Sequence, residues 1–158
     1  MKKILCILLL LFSSVSLFSQ VEIFKGDSES DSDLLFTLRD EKLYKEDLKF
    51  RDDILFTMEN SQIMMGDSRS VFDVVYTLRE GKVYNERSRM SNQVILTLKD
   101  GIIYKNNSTS IFDIIATVKD GKVYKDRGRF TDDILFTIDG DVSDLEFVAI
   151  WFAYHKSL

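Results

Sequence analysis

A unit of twenty residues repeats six times along this chain. From residue 21 to residue 140 the units align with one another without a single insertion. One column of this alignment holds threonine in every unit, at Thr37, Thr57, Thr77, Thr97, Thr117 and Thr137. Self-similarity at a fixed short period is typical of repeat architectures, in which each unit buries its apolar face against its neighbours. The repeat therefore limits the fold class more than any other feature of the sequence.

Each unit contains two short strand patterns. The longer pattern reads DILFTI in the sixth unit and the shorter one reads KVYK. Because side chains alternate along a strand, we expect Ile134, Phe136 and Ile138 to share the core face, together with Val94 and its equivalents. The next residue in each column, such as Leu55, is then expected on the opposite face.

Tight turns are predicted between the two strands of each unit. The dipeptides Glu80-Gly81, Asp100-Gly101 and Asp120-Gly121 lie between apolar runs. Such pairs favour the type I′ hairpin turn, because this turn requires positive φ at both central residues. The first two units carry Asp40-Glu41 and Asn60-Ser61 instead. We therefore expect strained or looser turns there.

The residues after the sixth unit predict a helix. Ser143 and Glu146 have the spacing of a capping box,. Apolar residues between Phe147 and Tyr154 lie all around a helix, which indicates a buried or docked element,. We expect the helix to cover the end of the sixth unit; a final strand is the alternative, since the segment is also rich in strand-forming residues.

These patterns predict an all-β fold. We expect six β-hairpin repeats in a solenoid-like stack with a short C-terminal capping helix, because an open stack needs a covered end. The alternative is a closed, pseudo-threefold arrangement of three 40-residue blocks, resembling a β-trefoil or β-prism. It is suggested by the loops between units, where the apolar anchor alternates in position: Phe72 and Phe112 in odd units, Phe50 and Phe130 in even units.

The first nineteen residues have the pattern of a secretory signal peptide. Lys2 and Lys3 precede a nine-residue apolar run, and a serine-rich stretch follows,. The run is shorter than the roughly 20 residues that span a bilayer; a retained N-terminal anchor is the alternative. We therefore predict three parts: a signal peptide (1–19), a six-repeat β domain (20–140) and a cap helix (141–158). The expected location is secreted, periplasmic or on the surface of a bacterial cell.

Composition narrows the chemistry of the exported chain. The only cysteine, Cys6, lies in the leader, so the remaining chain can form no disulfide. Loss of Lys2 and Lys3 takes the formal net charge from −5 to −7, and this acidic balance disfavours nucleic-acid partners. The only histidine, His155, is near the chain end and has no partner motif. We predict no catalytic residue and no cofactor.

Calcium is a weak possibility at two places. Asp139, Asp141 and Glu146 resemble the second half of an EF-hand loop, but the positions of the first acidic ligands fall within a strand,. These three residues are therefore only weak calcium candidates, and no metal site is predicted. A column of aspartates precedes the longer strands of five units; we expect it to shape the turns through bonds to its own backbone.

A column of tyrosines is the candidate binding site. A two-residue turn places these residues opposite the threonine column, on the face away from the core. They form either a ligand-binding stripe, since tyrosine rings stack on sugars and peptides, or ordinary cross-strand packing. The candidates are Tyr44, Tyr84, Tyr104 and Tyr124. The basic residues that recur in the loops are expected to form a solvated charged face: Lys49, Arg69, Arg89 and Arg129.

The repeat KVYK-x-x-S-x-S-x-FD-I-x-x-T-x-x-DG and the closing segment DG-x-x-S-x-x-EFVAIWFAY resemble a group of secreted bacterial β-hairpin repeat proteins. The resemblance covers residues 21–154 and implies export and repeated hairpins, without a particular activity. We expect an exported, non-catalytic module that binds or adheres, with a glycan or a protein at the cell surface as partner. The alternatives are an exported enzyme or enzyme inhibitor with a site in the loops, and a purely structural or self-assembling element.

Overall fold

A computed structural model describes residues 20–157. They form twelve β-strands, a single 3₁₀ turn before each even-numbered strand, and one α-helix. The predicted signal peptide, residues 1–19, lies outside the described residues. The strands are β1 (Val21–Lys25), β2 (Leu34–Arg39), β3 (Lys42–Lys45), β4 (Ile54–Glu59), β5 (Gln62–Met65), β6 (Val74–Arg79), β7 (Lys82–Asn85), β8 (Val94–Lys99), β9 (Ile102–Lys105), β10 (Ile114–Lys119), β11 (Lys122–Lys125) and β12 (Ile134–Asp139), and the helix is α1 (Asp144–Ser157).

The sheet is an antiparallel meander that closes on itself. Each strand pairs with the next one in sequence, and β1 pairs with β12, where Ile23 lies opposite Ile138. The all-β class, the six hairpin repeats and the C-terminal helix are confirmed. Of the two arrangements expected, closure is the one observed, although it joins six equivalent hairpins in a barrel and is neither an open stack nor a trefoil. Equal units twist equally, so the last strand meets the first and no sheet edge is left unpaired.

The eleven connections between consecutive strands alternate between two kinds. Five tight turns lie at one end of the barrel and six long loops at the other. We use "long loops" for residues 26–33, 46–53, 66–73, 86–93, 106–113 and 126–133. In every two-residue turn that joins an even strand to the next odd strand both central residues have positive φ, which confirms the type I′ prediction. Glu41 and Ser61 adopt the same conformation without glycine, at φ 59° and 64°, so these turns are strained rather than loose.

A β-bulge in every even strand changes which side chains face the core. In β8, Leu96 lies opposite Val83, yet Val94 lies opposite Tyr84, so Ile95 is an extra residue on its strand. A bulge of this kind turns two successive side chains to the same face. Ile95 and Leu96 both pack in the core. Strict alternation placed Val94 and its equivalents on the core face. This prediction was wrong, because Val94 is buried on the outer side of the sheet and is not part of the core cluster.

The same correction applies to the other units. Leu55 packs against the core, although alternation placed it on the opposite face. Ile134 was expected inside, but it lies opposite Tyr124 on the outer side of the sheet. Phe136 and Ile138 are core residues, as predicted.

Helix α1 runs through the barrel. Consecutive residues from Phe147 to Trp151 are all buried, which requires neighbours on every side of the helix. Its first turn borders Val118 and the turn at Gly101, whereas its last turn borders Lys45 at the long-loop end. Fourteen helical residues extend about 21 Å, close to the roughly 20 Å of a six-residue strand. The helix thus fills the barrel instead of covering the sixth repeat.

Aromatic contacts fix the C-terminal half of the helix. The Phe152 ring stacks on Tyr76 at 3.8 Å between centroids, and Tyr154 lies 4.9 Å from Phe136. Burial raises the pKa of both Tyr76 and Tyr154. No helix among residues 20–157 has the length and hydropathy that crossing a membrane requires.

The predicted capping box is present at the start of α1. Glu146 Oε2 accepts hydrogen bonds from the backbone N–H of Ser143 at 2.8 Å and from its hydroxyl at 2.7 Å. These bonds satisfy backbone donors that a helix start leaves unpaired. The helix therefore begins at a defined residue before it enters the barrel.

Candidate functional site

The long loops fold back over the outer face of the barrel. Thr57 Oγ1 donates to the carbonyl oxygen of Gly66 at 2.7 Å, and Thr137 Oγ1 donates to that of Gly26 at 2.7 Å. The same bond recurs from Thr77, Thr97 and Thr117 to the sixth residue of the following unit. Thr37 is the exception, because its buried hydroxyl has no partner among the described residues. The threonine column thus ties five of the six long loops to the neighbouring strand.

The aspartate column holds the loops from within. Asp73 Oδ2 accepts a hydrogen bond from the Ser68 hydroxyl at 2.5 Å, and Asp113 Oδ2 accepts one from Ser108 at 2.6 Å. Asp133 Oδ2 accepts instead from the backbone N–H groups of residues 129 and 130. The expected bonds from the backbone are present at Asp133, whereas Asp73 and Asp113 shape their loops through serine hydroxyls. Hydrogen bonds of the column thus hold the bases of these loops.

The weak calcium candidates do not form a cluster. Glu146 is engaged in the capping box, and Asp139 and Asp141 are exposed. Within residues 20–157 no group of three or more His, Cys, Asp or Glu side chains is arranged to hold a metal ion. His155 Nδ1 lies 2.9 Å from the carbonyl oxygen of Trp151, one helical turn earlier. It is thus part of the end of α1.

The tyrosine column lies opposite the threonines on the outer face, in the register that the sequence predicted. The four rings do not form one open stripe. Tyr104 is only 8% exposed. The guanidinium group of Arg39 lies 4.1 Å from the Tyr44 ring centroid, and that of Arg79 lies 5.8 Å from the Tyr84 centroid. Tyr124 instead lines an open groove.

We call this groove the Tyr124 groove. It has a volume of about 470 Å³ and lies over strands β9 to β11, beneath the sixth long loop. Apolar side chains from the strands and basic side chains from β10 and the loop line it together: Ile102, Ile114, Thr117, Lys119, Tyr124, Arg127, Gly128 and Arg129. Three basic side chains and one aromatic ring thus line the same groove.

At two other places around the barrel, the positions equivalent to Ile102 and Arg127 of the Tyr124 groove hold a lysine and an aspartate that form an ion pair. Lys42 Nζ lies 2.6 Å from Asp67, and Lys122 pairs with Asp27. The hydrogen bond from Lys42 lowers the pKa of Asp67, and the hydrogen bond to Asp27 raises the pKa of Lys122. Each pair joins the seventh residue of a unit, which is the second residue of its long loop, to a lysine on the outer face. These contacts press the loops onto the barrel.

Apolar side chains at the outer parts of the loops are exposed. In the part of the chain that the structure describes, nine large apolar residues are exposed. Five of them lie at the tenth or twelfth position of their unit, one in each of five long loops. We call them the loop tips: Phe50, Phe72, Met90, Phe112 and Phe130, with exposed fractions of 68–91%. The first long loop has Ser30 and Ser32 at these positions. The expectation that these residues anchor the loops was wrong, because aspartate and threonine bonds hold the loops instead.

Comparison with protein families identifies the architecture. The chain matches the model of the family described as 6-fold beta flower protein over residues 23–151, which include the strands of all six repeats and half of α1. The chain belongs to this family. Neither the search of curated proteins nor that of solved structures found a match. The match supports a family of hairpin repeats; the export implied by the earlier resemblance stays a prediction.

The beta flower brings together residues that sequence reasoning left apart. Arg129 was expected on a solvated charged face, and neither Lys119 nor Arg127 was considered for binding. The signal was present at the seventh position of the unit, where the aspartate of the first three units is replaced by arginine at Arg87 and Arg127. Only the folded loop shows which strand residues these arginines approach.

Proposed function

We propose that this beta flower is an exported, non-catalytic binding module that contacts a glycan or a protein through its long-loop end. The loop tips are the observation that carries the proposal. Large apolar side chains with more than two thirds of their surface exposed are costly in water, and groups of them mark interaction surfaces. Aromatic side chains also dominate the energetics of protein interfaces and of sugar stacking.

The arrangement of the loops supports this function. The five tips are in equivalent loops around one end of a single barrel. Hydrogen bonds to the aspartate and threonine columns hold the bases of those loops, so little conformational entropy is lost when a partner binds. Basic residues flank several tips, as Lys49 and Arg51 flank Phe50. The surface therefore suits a partner with apolar faces and some negative charge.

The repetition also argues for binding over catalysis. A repeat surface offers several equal contacts, whereas a catalytic site needs unlike groups held in one place. His155 packs against Trp151, with 4.2 Å between the ring centroids. It therefore belongs to the end of the helix, and we assign it a structural role.

Binding is tested with residues 20–158 on glycan and peptide arrays, followed by titration of each positive ligand. The variant Phe72→Ser with Phe112→Ser copies the natural serine at residue 32, so it is compatible with the loop. We expect at least a tenfold loss of affinity, since truncating an aromatic hot-spot residue costs about 2 kcal/mol or more. The control variant Lys25→Ser with Lys105→Ser changes exposed polar residues at the ends of β1 and β9, next to the first and fifth long loops, and should bind within about twofold of the parent,.

Two results would contradict the proposal. One is unchanged binding by the variant that lacks both phenylalanines. The other is concentration-dependent self-association of the parent that this variant abolishes, since the tips would then hold a second copy of the chain. Sedimentation velocity of the parent and of the variant separates this outcome from ligand binding.

A further inference from the structure

We infer that the Tyr124 groove binds an anionic sugar unit, one that carries a carboxylate or a sulfate group. The groove uses side chains other than the loop tips. Tyr124 follows the repeat, whereas Arg127, Gly128 and Ile102 in the same groove depart from it. The inference therefore goes beyond the proposed contact at the long-loop end.

The charge of the groove is unusual for this protein. The chain has a formal net charge of −5, yet Lys119, Arg127 and Arg129 line one groove. Among the described residues none of the three forms an ion pair, whereas Asp27, Asp47 and Asp67, at the seventh position of their units, all do. Like charges in one cleft raise the local concentration of a ligand of opposite sign. An anion would therefore neutralise what the chain itself leaves unpaired.

The related grooves show why Tyr124 is the open one. At Tyr44 the cation from the preceding strand covers the ring, because Arg39 also donates to the carbonyl oxygen of Leu48 at 2.5 Å. At Tyr84, Arg79 donates to the carbonyl oxygen of Ser88 at 3.3 Å and lies over that ring.

In the sixth unit, the loop residue equivalent to Leu48 and Ser88 is Gly128. A Cβ there would lie 2.4 Å from the Cβ of Asp133 and 2.8 Å from the carbonyl oxygen of Lys125, so the loop requires glycine. Lys119 replaces the arginine on the preceding strand, and no described cation lies over the Tyr124 ring. The face of this ring is therefore accessible within a cluster of positive charge.

The lining predicts the class of ligand. A volume of about 470 Å³ falls in the range of about 300–1,000 Å³ that is typical of small-molecule sites. Tyr124 and the isoleucines of the floor suit the apolar face of a pyranose ring. Arginine binds a carboxylate or a sulfate through two parallel hydrogen bonds. A sugar acid satisfies both surfaces, whereas inorganic anions use only the cations.

The experiment is calorimetric titration of residues 20–158 with oligogalacturonate, which carries carboxylates, and with chondroitin sulfate oligosaccharides. Maltohexaose and inorganic sulfate are the comparison ligands. We expect binding of at least one anionic oligosaccharide, weakened by salt, and at least tenfold weaker binding of both comparison ligands. Equal binding of inorganic sulfate, or no binding of either anionic oligosaccharide, would overturn the inference.

Matched variants locate the site. Arg129→Asp should weaken binding about tenfold or more, since a hydrogen bond to a charged group is lost and repulsion is added. Lys49→Asp makes the same change at the equivalent position beside Tyr44, where Asp47 is already present, and should change affinity less than about twofold. Tyr124→Leu keeps the charges and should also lose about tenfold.

Circular dichroism and thermal melts confirm that each variant is folded. The variant Phe72→Ser with Phe112→Ser should bind the oligosaccharide as the parent does. Its loss of binding would place the ligand at the loop tips and overturn the groove. If that variant loses binding only to the ligands found on the arrays, the oligosaccharide binds in the Tyr124 groove, and the loop tips and the groove are independent binding surfaces. Unchanged affinity of Arg129→Asp would refute the assignment directly.

Discussion

Replacing Glu41 by glycine should stabilise the barrel. Glu41 is exposed and has φ 59°, in a type I′ turn where three other units have glycine. A left-handed conformation costs an L-residue about 1–2 kcal/mol. The greater freedom of glycine in the unfolded chain offsets about 0.4–1 kcal/mol of that gain. We therefore expect Glu41→Gly to raise the free energy of unfolding by ~0.5–1 kcal/mol.

Replacing the glycine of three other tight turns by alanine should destabilise the barrel, and more so where the added Cβ lies closer to a carbonyl oxygen. An added Cβ would lie 2.5 Å from the carbonyl oxygen of Leu98 at Gly81, 2.8 Å from that of Ile138 at Gly121, and 3.0 Å from that of Val118 at Gly101. Substitution by alanine should therefore destabilise most at Gly81 and least at Gly101.

The turn at Glu41 has the strand spacing of a glycine turn. The bond from the Met58 N–H to the Glu41 carbonyl oxygen is 2.8 Å long, equal to the bond from the Ile138 N–H to the Gly121 carbonyl oxygen. Glycine at residue 41 relieves strain without the clash that alanine introduces at residue 81.

The assay is urea unfolding of residues 20–158, followed by circular dichroism. Glu41→Ala is the control, because it removes the carboxylate but keeps a Cβ at positive φ. It should leave stability within about 0.5 kcal/mol of the parent. The gain from Glu41→Gly corresponds to roughly 2–4 °C in melting temperature. Equal effects of the glycine and alanine substitutions, or destabilisation by glycine, would refute the argument from φ.

Three further predictions concern single contacts. Thr57→Val should cost about 1 kcal/mol, because a buried hydrogen bond to a loop is lost, whereas Thr37→Val should be neutral or stabilising, since that hydroxyl has no partner,; urea unfolding of both variants checks the contrast, and equal costs would contradict it. Ser143→Ala should cost about 1 kcal/mol by removing the helix cap, measured as a lowered melting temperature. Lys42 lowers the pKa of Asp67, so this ion pair stabilises the fold fully above the ordinary pKa of 3.8, and the stabilisation is lost as the pH falls through the lower folded-state pKa,. Asp67→Asn should therefore lose less stability on acidification than the parent does. An unchanged dependence of the free energy of unfolding on acidic pH would count against the pair.

Much of the hairpin unit could be read from the residues. The Asp-Gly dipeptides predicted the tight turns, and the two-residue turn set Thr97 opposite Tyr104. The capping box of Ser143 and Glu146 was also predicted correctly. These features depend on contacts between residues close in sequence, which a pattern of residue types is sufficient to specify.

The bulge at Ile95 could not be read in the same way. Three successive apolar residues fit either face of a strand, and the choice depends on how the even strand bends around the helix. The site shows the same limit. Tyr124 was a candidate from the sequence, but Arg127 and Arg129 line one groove with it only when the loop folds onto β10.

The sequence by itself determined the unit: two strands, a tight turn, a long loop and a terminal helix, because each follows from local backbone preferences and the spacing of apolar residues. Only the tertiary structure decided that the six units close into a barrel around α1, with five apolar loop tips exposed at one end. Closure depends on the summed twist of twelve strands and on a helix that fits the space they enclose. No single unit encodes either quantity, so both become visible only in the folded chain.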